Sequence, residues 1–206
     1  MKRLVVYIDG FNLYHAIDDL RRPHLKWLDL WALAETLAHP KETVAAVHYF
    51  SAFPTWRKKT FARHREYVKA LKHRGVTIHL AHFKKKPRQC FACGATWTDH
   101  EEKETDVHVA VQMVADSLTN AFDRAILISA DSDLGPAIRK VRDVAPRKAI
   151  LVAAPPGRFA HARDLKPGLE ITKGRIVGCL LPERIEESGK VVVTRPTNYD
   201  PPEAGN

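Results

Sequence analysis

Short apolar runs alternate with amphipathic stretches from residue 4 to residue 153. Leu4–Ile8, Val44–Phe50, Val76–Ala81, Ala125–Ala130 and Lys148–Ala153 are brief, continuous and rich in Val, Ile and Ala, the pattern of strands buried on both faces. Between them the apolar period lengthens to that of a helix. Phe11–Leu20 reads as a helix entered from an Asp-Gly turn, and Leu30–Ala38 as one capped by Asp29 and stopped before Pro40. In residues 57–73, Phe61, His64, Val68 and Leu71 share an arc, and Gly75 ends the segment. A long helix is predicted for Glu101–Leu118, with Val107, Ala110, Val111, Val114 and Leu118 on its core face. Another runs from a cap at Asp133 to about Val144. Strands alternating with helices make βαβ units, hence an α/β fold with a mostly parallel central sheet between helical layers. Residues 82–100 interrupt the alternation as a small inserted loop, and the last dozen residues, with Pro196, Pro201 and Pro202, read as a loose tail.

Acidic residues stand where the apolar runs stop. Asp9 closes the first strand, and Asp131 and Asp133 follow the fourth. Ligands of open α/β sheets bind at the carboxyl ends of the strands. The predicted helix from Glu101 adds Glu102 and Asp106, one turn apart on one face. Carboxylates gathered at one edge repel each other unless a cation holds them, and hard oxygen ligands suit Mg²⁺ or Mn²⁺. The pattern points to metal-dependent phosphoryl transfer. Each acid also has a plainer role: Asp133 as a helix cap, Asp9 as a turn residue before Gly10, and Glu102 as a solvated first-turn acid.

Charge sharpens this reading. The chain of 206 residues carries a net +9, and the segment Arg57–Arg88 alone holds twelve Lys or Arg against one acid, Glu66. The excess is local, which suggests a polyanion partner rather than a uniformly charged surface. Lys58, Arg65 and Lys69 flank the apolar arc of the helix at 57–73, and Lys84, Lys85, Lys86 and Arg88 crowd the insertion. Trp56, Phe61, Tyr67 and Phe83 lie in or beside the same stretch, where some would stack on bases and others would belong to the core. No apolar run approaches 18 residues, and the apolar stretch at the N-terminus ends at Asp9 rather than at a small-residue cleavage site. A cytoplasmic protein is expected. Three Cys do not make a disulfide framework.

Three segments resemble the motifs of the NYN domains of the PIN-like nuclease superfamily, in the family's order: Val6-Tyr7-Ile8-Asp9-Gly10-Phe11-Asn12-Leu13, Glu102-Lys103-Glu104-Thr105-Asp106-Val107 and Ser129-Ala130-Asp131-Ser132-Asp133-Leu134. Ala130 replaces the Gly usual in the third. The resemblance spans about residues 3–154. It implies a PIN-like three-layer α/β/α fold and a metal-dependent endoribonuclease, with residues 1–185 as the nuclease domain and 186–206 as a partly disordered extension. Asp9, Asp106, Asp131 and Asp133 match the family's acidic tetrad, which would hold Mg²⁺ or Mn²⁺, and Asn12 matches its Asn. Lys103, one helical turn before Asp106, would steady the scissile phosphate or be an ordinary exposed lysine. The partner implied is RNA, single-stranded or structured, and related nucleases often form homodimers.

Cys90-Phe91-Ala92-Cys93 followed by His100 has spacing that Zn²⁺ can use, though no fourth ligand is evident; a partly ordered thiol loop is the other reading. Zinc would stiffen a basic rim near the active edge. Cys179 lies in an apolar stretch and reads as a core thiol. Two other functions fit parts of the pattern. One is an RNA-binding or regulatory module with little turnover. The other is a phosphatase with a nucleophilic Asp on strand one, but such sites usually have a second Asp two residues on, where this chain has Phe11.

Overall fold

A computed structural model describes residues 1–202. Seven strands form one sheet in the order β4-β3-β2-β1-β5-β6-β7. They are β1 (Lys2–Asp9), β2 (Glu42–Ala52), β3 (Thr77–Gln89), β4 (Thr96–Lys103), β5 (Arg124–Ile128), β6 (Ala149–Ala154) and β7 (Leu169–Glu170). All neighbours are parallel except β3 and β4. β1 is central and fully apolar over Leu4–Ile8, and its alternation feeds both faces. Leu4, Val6 and Ile8 pack under α1 (Gly10–Asp19), α2 (Leu30–Leu37) and α3 (Lys58–His73). Val5 and Tyr7 pack under α4 (Thr105–Leu118) and α5 (Gly135–Val144). The result is the expected three-layer α/β/α fold. Chain order runs outward from β1 in both directions, so the gap between the carboxyl ends of β1 and β5 is the topological switch point, the usual ligand crevice of such sheets.

The insertion is not a loop. β3 continues past the sheet and returns as β4, an antiparallel hairpin in register from His82↔Lys103 to Gln89↔Thr96, with Cys90–Gly94 at its tip. Glu101 and Glu102, expected to open a helix, therefore end a strand. The chain turns at Glu104, which takes the left-handed conformation (φ 79°), and α4 begins at Thr105.

The core face of α4 also differs from expectation. Thr105, Val109, Met113 and Ser117 are buried, whereas Val107, Val111 and Leu118 are each at least 60% exposed. Both stripes are helically spaced, so periodicity cannot choose between them. The choice is made by a polar tie: Asp116 accepts from the Tyr7 hydroxyl of β1 (2.7 Å) and from Gln112 (2.9 Å), which fixes the rotation of α4 on the sheet.

The C-terminal segment is packed through residue 199. A short helix α6 (Lys173–Val177) is followed by a hairpin, β8 (Arg184–Glu187) and β9 (Lys190–Thr194). Val193 and Tyr199 are buried with Trp27, Ala70 and Leu181. The loose tail expected for the last dozen residues is thus anchored as far as Tyr199; its final positions, 203–206, lie outside the described residues. Cys179 is buried in the main core, as its apolar surroundings predicted.

Candidate active site

The switch point is built from both of its strands. Asp9, at the end of β1, caps α1: one carboxylate oxygen accepts the Asn12 N–H (3.0 Å). The other accepts the hydroxyl of Ser129, just beyond β5 (2.9 Å). Ser129 Oγ in turn accepts the Asp131 N–H (3.0 Å), and the Asn12 side-chain oxygen accepts the Ala130 N–H (3.1 Å). These bonds lace the two strand ends together and hold Asp9, Asn12 and Asp131 in one crevice. Gly10 is needed because α1 starts against β2: a Cβ there would sit 2.5 Å from the Phe50 carbonyl oxygen and 2.7 Å from the Tyr49 ring. Gly10→Ala is expected to cost about 1–3 kcal/mol in urea unfolding, the usual range for overpacking. Ser129→Ala should cost a similar amount, about 1–3 kcal/mol, because it strips partners from the buried Asp9 carboxylate and the Asp131 N–H.

Asp106, in the first turn of α4, and Glu102, at the end of β4, face the same cavity as Asp9 and Asp131. Glu102 is not solvated as expected: it accepts the Thr105 N–H (3.0 Å) and so braces the start of α4. Asp133 is exposed, does not line the cavity and is not the helix cap. Asp131 takes the capping role, accepting the Asp133 N–H at 2.9 Å over a short 3₁₀ turn. No ion pair among the described residues involves Asp9, Glu102, Asp106, Asp131 or Asp133. The cost of this crowding is visible. Burial pushes Asp9 up to about 6, opposed by its Asn12 and Ser129 bonds and reinforced by the charges of Asp131 and Glu102. Burial, then the charges of Asp9, Asp131, Glu102 and Asp133, raises Asp106 to about 6.

The basic residues divide into tied and untied. On the hairpin, Lys86 pairs with Glu101 (2.9 Å), Arg88 with Asp99 (3.5 Å) and Lys103 with Glu101 (2.9 Å). The acids of β4 thus neutralise much of the basic run, and Lys103, a strand residue, is not one helical turn from Asp106. Arg65 (3.7 Å) and Lys69 (2.9 Å) share Glu66 on α3. Among the described residues Lys58, Lys84 and Lys85 make no ion pair and keep their charge for a partner.

His100 is not brought to the cysteine pair. It stands opposite Lys85, roughly 16 Å down the hairpin from Cys90 at about 3.3 Å per strand residue, and stacks on Trp56 with ring centroids 3.8 Å apart. Cys90 and Cys93 are free thiols at the tip, and backbone N–H groups of Cys93 and Ala92 draw the Cys90 thiol below its ordinary value. The Cys90, Cys93 and His100 set expected for zinc is therefore not assembled. Among the described residues no three His, Cys, Asp or Glu side chains are disposed around one point to hold an ion. The acids share a crevice without closing on a common centre.

The cavity has a volume of about 880 Å³ and runs inward from the acids past Tyr14, Tyr49, Ser51, Thr60, His64 and Tyr67 to Tyr199. Tyr67 is among the aromatic candidates of the sequence and His64 lies on the apolar arc of residues 57–73, but no local signal marks Tyr14, Tyr49, Ser51, Thr60 or Tyr199 as site residues. They come together only when α1, β2, α3 and the C-terminal segment pack.

The model of the NYN domain matches residues 3–166. The chain belongs to the NYN domain family. The match covers all three acidic segments and the whole sheet but for β7. NYN domains are in general related to nucleases. Two further likenesses are more distant. The chain is 26% identical to the 6-hydroxy-3-succinoylpyridine 3-monooxygenase HspA of Pseudomonas putida (strain DSM 28022 / S16), over 98% of this chain and 77% of that protein. It also superposes on the crystal structure of a protein of unknown function from Vibrio parahaemolyticus RIMD 2210633 with a TM-score of 0.57. That likeness covers 87% of this chain and 96% of the other at 17% identity, and it bears on the fold alone. No helix among the described residues is long and apolar enough to cross a membrane.

Proposed function

We propose that this NYN domain is a metal-dependent endoribonuclease. The observation that carries the proposal is the cluster of Asp9, Glu102, Asp106 and Asp131 at one cavity, with no cationic side chain paired to any of them and two of them raised to about 6. Such a set is costly without a counter-charge and suits a hard divalent cation. Asp9, Asp106 and Asp131 would hold Mg²⁺ or Mn²⁺, with Asp133 outside the cavity but near enough for its charge to be felt at Asp106. The ion would supply Lewis-acid activation of a phosphodiester and of the attacking water. Ser129 and Asn12 orient the carboxylates, and Lys58, Lys84 and Lys85 attract the phosphate backbone without reading sequence. Cleavage of labelled single-stranded RNA, with matched DNA, in Mn²⁺, Mg²⁺ or EDTA tests the proposal. RNA should be cut in either cation and left whole in EDTA. RNA bound but uncut in every condition would favour the binding module instead.

A second reading has two observations in its favour. The relative named as a monooxygenase aligns over nearly the whole chain, and the cavity is rich in aromatic side chains. On this reading the protein oxidises a small aromatic ring. Consumption of 6-hydroxy-3-succinoylpyridine in the presence of dioxygen and a two-electron reductant would support it.

A further inference from the structure

The root of the hairpin forms one wall of the cavity. Phe83 and Glu102 are cross-strand partners, so the same rung that delivers an acid delivers a ring. Phe83 meets Trp56 edge-on (centroids 4.6 Å, planes at 79°) and Phe11 likewise (5.6 Å, 84°). His100 covers a face of Trp56 at 3.8 Å with the planes 9° apart. The indole is braced by these neighbours, lines the cavity and remains 37% exposed. It is a fixed aromatic platform, beside the acids, with room in front of it.

The inner wall of the cavity is polar but uncharged. His64 is driven down to about 4 by burial, so its ring is neutral, and its Nε2 lies 3.4 Å from both the Tyr49 hydroxyl and Ser51 Oγ. Burial keeps Tyr49 protonated. Of the cations around the cavity, Lys26 is paired with Asp18 and Arg158 with Asp19, which leaves Arg57 at the rim without an ion pair among the described residues. An interior of this kind does not call for an anion. It offers a flat apolar surface to stack on and neutral donors and acceptors to meet a heteroaromatic edge. Its volume, about 880 Å³, falls within the ordinary range of pockets that enclose a small ligand.

We infer that this cavity is a nucleobase subsite: one base of the bound strand leaves its neighbours, stacks on the face of Trp56 that His100 does not cover, meets Phe83 edge to face and points its polar edge at Tyr49, Ser51 and His64, while its phosphate lies at the acids. The inference rests on the ribonuclease reading and narrows its substrate. A base inside a duplex is stacked and paired and cannot enter, so cleavage falls at unpaired nucleotides. Stacking itself tolerates any base, which makes the subsite a reader of strandedness first.

The test is binding in EDTA, where nothing is cut. A short oligonucleotide with every base removed is compared by fluorescence anisotropy with the same oligomer carrying one adenine. The adenine should tighten binding about 5- to 150-fold, the usual worth of one stacked base. Trp56→Ala should remove that increment and leave the affinity of the abasic oligomer unchanged. Phe83→Leu, checked for folding by circular dichroism, should reduce the increment in part. The inference is overturned if the adenine adds nothing in the wild type, or if Trp56→Ala weakens both oligomers equally. It is also overturned if a free pyridine carboxylate fills the pocket while neither oligomer binds. RNA cleavage without an adenine increment would sink the subsite and spare the ribonuclease reading. An increment without cleavage would do the reverse.

Discussion

Asp131→Asn should lower metal-dependent RNA cleavage by more than about 100-fold, since loss of a group one step removed from a metal ligand already costs about 10–100-fold. The substitution isolates charge. The Asp131 carboxylate also accepts the Asp133 N–H at 2.9 Å, and the Asn carbonyl can keep that bond, because Asn and Asp cap equally well. Its backbone bond to Ser129 is untouched. The variant should therefore fold and bind RNA as the wild type does. Initial rates on a fluorescent single-stranded RNA in Mn²⁺, with affinity measured separately in EDTA, check both halves. A wild-type rate in the variant would assign the cutting to something other than the acidic crevice.

The second large effect concerns the protein in the absence of any divalent cation. Asp9 and Asp106 sit at about 6 in the fold and at the ordinary 3.8 when unfolded. Between those values the folded protein holds protons that the unfolded chain has released. Their contribution to stability is therefore full below about pH 4 and is lost as the pH rises through 6. For the deeply buried Asp9, two units correspond to something on the order of 3 kcal/mol. Half-exposed Asp106 contributes less, because solvent screens it. Part of the rise at Asp106 comes from the charge of Asp9. His64 works in the opposite direction: burial lowers it from 6.5 to about 4, which favours the fold as the pH rises over that interval. The informative quantity is thus the difference between wild type and Asp106→Asn. At pH 7.5 without metal the variant should melt higher, since it relieves repulsion and gives up no side-chain hydrogen bond. Mn²⁺ should raise the melting temperature of the wild type at pH 7.5, do so less at pH 5, and do little for the variant. Thermal scans in EDTA and in Mn²⁺ at the two pH values decide it. Equal melting temperatures for the two proteins in EDTA at pH 7.5 would show that the acids do not strain the fold.

Much of the architecture could be read from the sequence because buried parallel strands announce themselves locally. Leu4–Ile8 and Ala125–Ile128 need no tertiary knowledge to be recognised, and the acids that end them follow at once. Asp29 as the cap of α2 was equally legible, since it accepts the Trp31 and Ala32 N–H groups as its position predicted. What failed was phase and pairing. The stripe of Val107, Val111 and Leu118 is as periodic as that of Val109 and Met113, and what separates them is tertiary: Val109 and Met113 pack against Val5, Tyr7 and Phe122, and Asp116 is tied to Tyr7, 109 residues away in the chain. The hairpin was missed because Lys84-Lys85-Lys86 reads as a solvated run until Glu101 and Asp99 are laid opposite it. The same pairing took Lys86, Arg88 and Lys103 away from the free basic surface. The zinc spacing failed for a related reason: spacing along the chain says nothing about a strand that carries His100 away from the tip.

The bonds that lace Asp9 to Ser129 and Asn12 to Ala130 join residues 120 and 118 positions apart. Synthesis makes Asp9 more than a hundred residues ahead of Ser129, so the crevice does not exist until β5 has been made and inserted beside β1. Until then the first acid is an isolated side chain on an unfinished sheet. The crevice is thus a property of the finished sheet and of no contiguous stretch of the chain.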